Sequence, residues 1–454
     1  MIDTLTLKKR IYDLAISGQL TCHLVDDTPV DSTLLFYQEE GVDSLPDIPD
    51  TWKYCYFDDV LINRDSERIP VSVADRKKLS KKYDYYGASG VIDKVDNFLF
   101  DENLLLIGED GANLLSRSTP IAFIAKGKYW VNNHAHVLQA TEHVLLEFVE
   151  IYINAISLVP YVTGSAQPKL SQRMMSKIPV PVPPIEEQQR IVETVRSVSE
   201  HLGLIDALQS QYQDNLATLK SKIIDAGIQG KLTEQLPEDG NAEELYQQIQ
   251  QEKLALEKAG KIKKAKPLPP ISDEEKPFDI PENWKWVRIG NIGSWSAGST
   301  PARNNPAYYK DGSIPWLKTG DLDDNYVSEV PEYITELAMK ETSVRLNPVG
   351  SVLMAMYGAT IGKLGILETP MTTNQACCAC IPYTGMYNKY LFYYLLGRRK
   401  EFIEKGKGGA QPNISKEIIV NSAIPLPPLA EQKRIVAKLE ELLPLCEGST
   451  IERR

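Results

Sequence analysis

No stretch of the 454-residue chain holds about 18 consecutive apolar residues, the length a membrane-crossing helix requires. Residues 144–163 come nearest, and Glu147 and Glu150 interrupt them, so no membrane contact is expected. The opening MIDTLTLKKRIYDLAI does not place a basic segment ahead of an apolar one, as a secretory signal would, and the expected compartment is the cytoplasm. Cysteine is scarce. Cys22, Cys55, Cys377, Cys378, Cys380 and Cys446 show neither disulfide nor zinc spacing, and the three in QACCACIP are read as free thiols in a buried strand. Histidine is scarcer still, with five residues. In VNNHAHVLQA the alternation puts His134 and His136 on one strand face, with His143 nearby, but no acidic or cysteine partner is adjacent. No metal site is expected there.

Catalytic signatures are missing as well. The phosphate loop G-x-x-x-x-G-K-[ST] is absent, because Gly362-Lys363 lacks both the upstream glycine and the following Ser or Thr. No G-x-G-x-x-G follows a strand, and Gly290-Asn-Ile-Gly293 reads as a turn. The Asn/Asp-Pro-Pro-aromatic tetrapeptide of adenine methyltransferases is not found. Glu274-Glu-Lys276 lies in a polar linker rather than on a strand, which argues against a nuclease core. A net charge of −11 argues against a protein that merely coats nucleic acid, but it leaves local DNA-binding patches open.

What the chain does have is an internal repeat. Leu7–Thr21, LKKRIYDLAISGQLT, matches Leu219–Thr233, LKSKIIDAGIQGKLT. PDIPDTWKYCYFDDV at 46–60 resembles FDIPENWKWVRIGNI at 278–292, and GSAQPKLS from Gly164 resembles GGAQPNIS from Gly408. IPVPVPPIEEQQRIVETV at 178–195 resembles IPLPPLAEQKRIVAKLE at 424–440. These compositionally varied matches keep one order, which marks a true repeat. The order is circular: a second helix starts at 429, and the counterpart of its missing end is residues 1–21.

Ile191, Val195, Val198, Leu202, Ile205, Gln209, Tyr212, Leu216, Leu219 and Ile223 follow steps of four and three without a slip, the a/d seam of a coiled coil. Such a helix runs roughly 48 Å at 1.5 Å per residue. Ile435, Leu439, Leu442 and Cys446 continue the same steps, and Leu7 and Ile11 align with Leu219 and Ile223. The partner of the central helix is therefore expected to be split between the two termini, with a kink or early end at Pro444.

The globular segments read as mixed α/β. Strands are expected at Leu104–Ile107, Ile121–Ala125, Val131–Val137, Ser351–Met356, Leu364–Leu367 and Ala376–Ile381, and helices at 142–158 and 387–404. Residues 241–266 read as a polar linker helix with a basic tail. Arg76-Lys-Lys-Leu-Ser-Lys-Lys82 holds five basic residues in seven, followed by Tyr83, Tyr85 and Tyr86. That composition attracts phosphates and offers stacking surfaces. Arg303-Asn-Asn-Pro-Ala-Tyr-Tyr-Lys310 supplies groups suited to base edges. Arg398-Arg-Lys400, Lys405 and Lys407 form a further basic cluster beside Gly408-Gly-Ala-Gln-Pro.

With these residues assembled, the chain resembles the specificity subunit of type I restriction-modification systems over essentially its whole length. The resemblance is carried by Pro181–Val192 and Pro425–Val436, the LKxxIxxxxIxGxLT ends, the IPxxW entrances, and the loops Gly108–Asn113 and Tyr357–Thr360. It implies an α+β fold, with two globular mixed α/β target recognition domains joined by an antiparallel pair of long coiled-coil helices in a circular pseudo-two-fold repeat. The layout implied is 1–21 as the distal end of the second helix, 22–184 as the first recognition domain and 185–233 as the central helix. Residues 234–428 then form a linker helix plus the second domain, and 429–454 the C-terminal helix.

The resemblance also implies a non-catalytic subunit that binds an asymmetric bipartite site in double-stranded DNA. It would dock two methyltransferase subunits and restriction/translocase subunits, with S-adenosylmethionine, ATP and Mg held by those partners and none by this chain. Candidate DNA contacts in the first domain are Arg76, Lys77, Lys78, Lys81, Lys82, Tyr85, Tyr86, Glu109, Asn113, Ser165, Gln167 and Lys169. In the second they are Arg303, Asn304, Asn305, Tyr308, Lys318, Tyr357, Thr360, Lys407, Gln411 and Asn413. Glu187, Gln188, Glu431 and Gln432 are the candidate partner contacts. The alternative is a coiled-coil protein-interaction scaffold without direct DNA reading, which the acidic net charge favours.

Overall fold

The computed structural model describes residues 1–34, 37, 45, 47–164, 167–406 and 413–447. It divides into two units, Met1–Gln211 and Tyr212–Arg454.

The first unit opens with α1 (Thr4–Ile16), capped by the Asp3 carboxylate accepting from Thr6 N–H. Gly18, at φ +67°, ends the helix region, and any side chain there would meet the Pro49 ring at 2.4 Å. The chain then forms β1 (Lys53–Cys55), β2 (Leu61–Asn63), α2 (Val73–Arg76), β3 (Tyr83–Gly87), β4 (Gly90–Val95), β5 (Phe100–Asp101) and β6 (Leu104–Gly108). It continues through β7 (Ala122–Ala125), β8 (Lys128–Val131), β9 (Ala135–Ala140), α3 (Leu146–Ala155) and β10 (Val180–Val182). Two four-stranded sheets result, β2-β9-β6-β7 and β4-β3-β8-β5, and β1 pairs separately with β10. Every residue of β6 is buried, which is why it reads as an unbroken apolar run rather than an alternating one. The expected strand Val131–Val137 is two strands, because Asn132 to His134 turn the chain between β8 and β9. The expected helix 142–158 is shorter, as α3.

The long helix α4 (Ile185–Ile228) starts in this unit. Ala15 and Ile16 of α1 share a core with Trp52, Phe148, Ile191, Val192 and Val195. At the other end of α1, Gln209 accepts from Ile2 N–H and donates to Ile2 C=O at 3.2 Å, and the Thr4 hydroxyl donates to Asp206. The α1 segment therefore runs antiparallel to α4. The one polar seam residue, Gln209, caps the start of its partner.

In the second unit α4 is followed by α5 (Ala242–Lys258), β11 (Lys285–Arg288), β12 (Gly293–Ala297), β13 (Ile314–Leu317), β14 (Asn325–Val327), β15 (Tyr333–Ile334) and β16 (Val352–Ala355). Next come β17 (Leu364–Leu367), β18 (Thr372–Thr373), β19 (Cys377–Pro382), α6 (Asn388–Gly397), α7 (Arg399–Lys405), α8 (Lys416–Asn421), β20 (Ala423–Leu426) and α9 (Leu429–Leu442). The main sheet is β12-β19-β16-β17-β14, with smaller sheets β15-β13-β18 and β11-β20. The expected helix 387–404 breaks at Arg398, after Gly397 brings α6 against Ile224 of α4.

The polar helix 241–266 is not a solvated spacer. It is helical only to Lys258, and Ile249 and Leu245 pack on Gly385 while Gln250 donates to the Asn291 carbonyl. The α9 helix stops at Leu442, with Pro444 in the 3-10 turn that follows, the early end its proline predicts. Gly227 of α4 faces Ile435 and Leu439, and Lys220 pairs with Glu447, so α9 too runs antiparallel to its stretch of α4. The central seam is less covered than its regularity predicts. Ile191, Val195 and Leu202 are buried, whereas Tyr212 and Leu219 are exposed.

Candidate nucleic-acid interface

The matched motifs fold into one structure that occurs twice. In the first unit the Glu187 carboxylate is wholly buried. It accepts from the Trp52 indole N–H at 3.0 Å and from the Thr21 hydroxyl, and His23 Nδ1 lies 2.8 Å away. Gln188 accepts from Leu145 N–H and donates to the His143 and Pro183 carbonyls. Arg190 forks onto Asp27.

In the second unit Glu431 accepts from Trp284 N–H at 2.8 Å, from the Thr233 hydroxyl and from Gln235. Gln432 accepts from Tyr387 N–H and donates to the Gly385 and Pro427 carbonyls. Arg434 forks onto Asp239. The expectation that Glu187, Gln188, Glu431 and Gln432 touch partner subunits is therefore corrected. All four have no exposed surface, and they tie each sheet-bearing module to its helix.

The basic loop of the first unit divides into two kinds of residue. The Arg76 guanidinium lies 4.6 Å from the Tyr85 ring centroid and donates to Asp93 at 3.0 Å. Lys81 donates to the same carboxylate at 2.8 Å. The hydrogen bond from Lys81, then those from Lys94 N–H and Arg76, hold Asp93 well below the usual carboxylate range. Tyr85 is buried and accepts from Val71 N–H. Tyr86 stacks on Phe123. Arg76 and Tyr85 are thus corrected from DNA contacts to supports of the loop. Lys77, Lys78, Lys81 and Lys82 are all exposed; Lys81 is tied to Asp93, Lys78 lies 3.4 Å from Asp75, and Lys82 lies over the Tyr83 ring at 4.9 Å.

Behind the Gly108–Asn113 loop is a charged network that sequence reading missed. His136 Nδ1 meets Asp65 at 2.6 Å, and its Nε2 donates to the Leu170 carbonyl at 2.7 Å. Burial raises the Asp65 carboxyl, but the hydrogen bond and charge of His136, with Gln172 and Val137 N–H, outweigh it and hold the group at about 2. Arg68 pairs with Asp65 and Glu109, and Glu109 with Lys169. Glu109 is thereby a strut of the network rather than a free reader. The half-buried Asn113 donates to the Thr119 carbonyl and accepts from the Ser118 hydroxyl and Thr119 N–H. His134 has an acidic neighbour after all, Asp110 at 2.7 Å. Of the 163–170 loop, Gln167 and Lys169 are exposed; Ser165 lies outside the described residues.

In the second unit Arg303 stacks over Tyr309 and Trp316, at 4.7 and 4.6 Å from their centroids, and pairs with Glu332. Lys318 also bonds Glu332, and it leads the causes that lower that carboxyl. Asn305 accepts from Ala307 N–H, Tyr308 donates to Glu341, and Asn304 is exposed. Tyr357 bridges to Asn413 through the backbone, bringing two candidate loops together, with Thr360 half-buried beside them. Lys407 and Gln411 lie outside the described residues. In the Arg398–Lys405 cluster, Arg398 and Lys405 pair with Glu401 and Arg399 pairs with Asp324. Lys400 and Lys405 are both exposed.

Among the described residues no three His, Cys, Asp or Glu side chains gather to hold a metal ion, and no helix is long and apolar enough to cross a membrane. The chain is thus a duplicated module-on-helix protein in which the repeated acids Glu187 and Glu431 serve as internal ties.

Comparison with known proteins agrees. A family model described as the type I restriction modification DNA specificity domain matches residues 49–211 and again 281–449, and the chain belongs to that family. It is 30% identical over 344 residues to the type I restriction enzyme EcoAI specificity subunit of Escherichia coli, covering 63% of this chain and 56% of that one. It is 29% identical over 339 residues to the EcoEI specificity subunit of the same organism, covering 63% and 57%. The chain thus spans little more than half the length of these relatives. A structure solved for the complex assembly and conformational transition of the type I R-M system shares the fold, with a TM-score of 0.58 at 18% identity over 88% of this chain and 92% of that one.

Proposed function

We propose that the chain is the non-catalytic reader of a type I restriction-modification complex, working in the cytoplasm. Its two modules, residues 22–184 and 234–428, are target recognition domains, each reading one half of an asymmetric bipartite site in duplex DNA. Residues 185–233, with 1–21 and 429–454, form the helical spacer that sets the separation of the halves and docks two methyltransferase subunits and the restriction/translocase subunits. S-adenosylmethionine, ATP and Mg belong to those partners.

The observation that carries this reading is the duplicated Trp–Glu knot. One attachment is used twice, at Trp52–Glu187 and Trp284–Glu431, while the loops presented differ: a lysine-rich loop in one module and a stacked Arg303 with amides in the other. Identical attachment with different loops suits two unlike half-sites held at a fixed distance. Expressing the chain with its genomic neighbours and mapping methylated adenines by single-molecule sequencing tests it. A split, asymmetric motif is expected. A contiguous motif, or none, counts against the reading.

A further inference from the structure

The segment that follows α5 has no role in the picture so far. Lys258, Lys261, Lys263, Lys264 and Lys266 place five lysines in nine residues, and all five are exposed. The lysine ion pairs of this unit involve Lys220, Lys276, Lys285, Lys318, Lys389, Lys405 and Lys438, and none involves the segment among the described residues. In a chain of net charge −11, such a local concentration of positive charge repels itself, and no ion pair among the described residues of the unit offsets that repulsion.

The segment is fastened at both ends. At its start, α5 is anchored by the buried Ile249, and Leu256 and Ile262 pack on the main core. At its far end, Leu268 and Val420 close over Gly290, where an added Cβ would meet each at 2.9 Å. Arg288 donates to the Pro269, Pro270 and Asn421 carbonyls and pairs with Glu275. Pro267, Pro269 and Pro270 favour extended chain between. The lysines therefore project from a pre-ordered strap, so less backbone entropy is lost on binding than from a free tail.

The strap also has a position. Asn421 ends α8, a helix about 9 Å long, and Asn413, which bridges to Tyr357, lies just before its start. The far end of the strap and the paired candidate loops flank one short helix. The first unit offers a contrast. Arg190–Asp27 matches Arg434–Asp239 and Trp52 matches Trp284, so residues 28–46 are the counterpart of the strap region. They contain Asp31, Glu39, Glu40 and Asp43 and no lysine or arginine.

We propose that Lys258–Lys266 is a phosphate-binding strap that lies along the backbone of duplex DNA beside the second module, adding sequence-independent affinity on that side alone. The proposal rests on the DNA-reading function. Ammonium groups on flexible stems neutralise phosphates as point charges, and contacts to phosphate fix register without carrying base information.

The test uses the full chain in complex with its methyltransferase subunits. Three versions are compared: wild type, the fivefold Lys→Gln variant at 258, 261, 263, 264 and 266, and the matching Lys→Arg variant. Affinity is measured against salt for a duplex carrying the methylated motif and for a scrambled duplex. Each phosphate contact contributes about 0.9 to the logarithmic salt slope, so the Gln variant should lower the slope by about 2–4 on both duplexes. The Arg variant should keep the slope, and the methylated motif should be the same in all three. An unchanged slope in the Gln variant overturns the proposal and leaves solvent or an acidic protein surface as the only occupant. A changed second half-motif overturns it too, since the lysines would then read bases. A wild-type complex without salt-dependent duplex binding refutes the DNA-reading function itself, a different and separable result.

Discussion

The indole N–H of Trp52 donates to the buried Glu187 carboxylate at 3.0 Å, and Trp284 makes the same bond to Glu431 at 2.8 Å. The tryptophan sits just before the first strand of its module and the glutamate in the first turn of a helix. This bond is one of the buried ties that seat each module on its helix. Trp52→Phe removes the donor together with part of the buried indole, leaving the buried carboxylate one partner short at a cost of about 1.5–3 kcal/mol, to which the lost packing adds. Trp284→Phe should cost a similar amount. Two calorimetric transitions, one for each unit, check this: each variant should lower its own transition and spare the other.

The Lys77, Lys78 and Lys82 side chains face solvent, while Arg76 and Lys81 are committed to Asp93. Replacing the first three by alanine should weaken DNA binding and reduce the salt slope by about 2–3, at roughly 0.9 per phosphate contact. Arg76→Ala should instead act on folding, because it strips the Tyr85 ring and leaves Asp93 short of a partner. Filter binding across a salt series, read beside thermal unfolding, separates the two effects.

Glu150 lies in a cleft of about 380 Å³ lined by Tyr12, Phe123, Lys126, Glu147, Val195 and Arg196 among others. Burial first and then Glu147 push its carboxyl up to about 7, with Lys126 and Lys8 partly opposing. A carboxyl raised on folding gives stability that is complete below its ordinary value near 4.5 and is lost as pH rises through 7. After solvent screening the loss should be about 1–2 kcal/mol. Glu150→Gln should abolish it, so the variant should be the more stable protein at pH 8 and no more stable at pH 4. Denaturant melts of the first unit at the two pH values decide the matter.

Arg68→Met breaks the network beneath the Gly108–Asn113 loop by removing the cation shared by Asp65 and Glu109. Losing one partner of a buried charged cluster costs about 3–5 kcal/mol. The loop and the adjoining 163–170 segment should loosen together, since Leu170 N–H bonds the Glu109 carbonyl and Gly111 N–H the Pro168 carbonyl. The methylated motif should degrade in its first half only. Degradation in both halves would show that the network serves something other than the first module.

These outcomes show which parts of the molecule a sequence can reveal. The repeat was legible because Gly18, Trp52, Glu187 and Gln188 recur as Gly230, Trp284, Glu431 and Gln432, each inside a short matching motif and in the same order, although the spacing between motifs differs. Their role was misread, because a Glu-Gln pair in a helix first turn looks the same whether it faces solvent or a tryptophan. The His136–Asp65 pair joins residues 71 apart, and Arg76–Asp93 joins a helix to a strand beyond a turn. Neither has a local period, so no window along the chain could show them. The run of five basic residues was visible, but which of them are tied down depends on Asp93 and Asp75.

The last prediction concerns α4. An insertion at Gln209 itself would break the two bonds to Ile2 and so unseat α1, confusing spacing with stability. Placing the insertion after Gln211 avoids this, since Tyr212 and Leu219, the next exposed seam residues, are not covered by α1 or α9. Duplicating Ile205–Gln211 adds one heptad, so the four-three steps continue in phase through Tyr212. The helix lengthens by about 10.5 Å at 1.5 Å per residue, roughly three base pairs at 3.4 Å each. If α4 sets the separation of the half-sites, the methylated motif should keep both half-sequences and gain about three unspecified bases between them. A two-residue insertion should behave differently, because it rotates everything downstream by about 200° at 3.6 residues per turn and should abolish methylation. Sequencing methylated genomes from both strains tests the pair, and a motif of unchanged spacing in the heptad strain would remove α4 as the ruler.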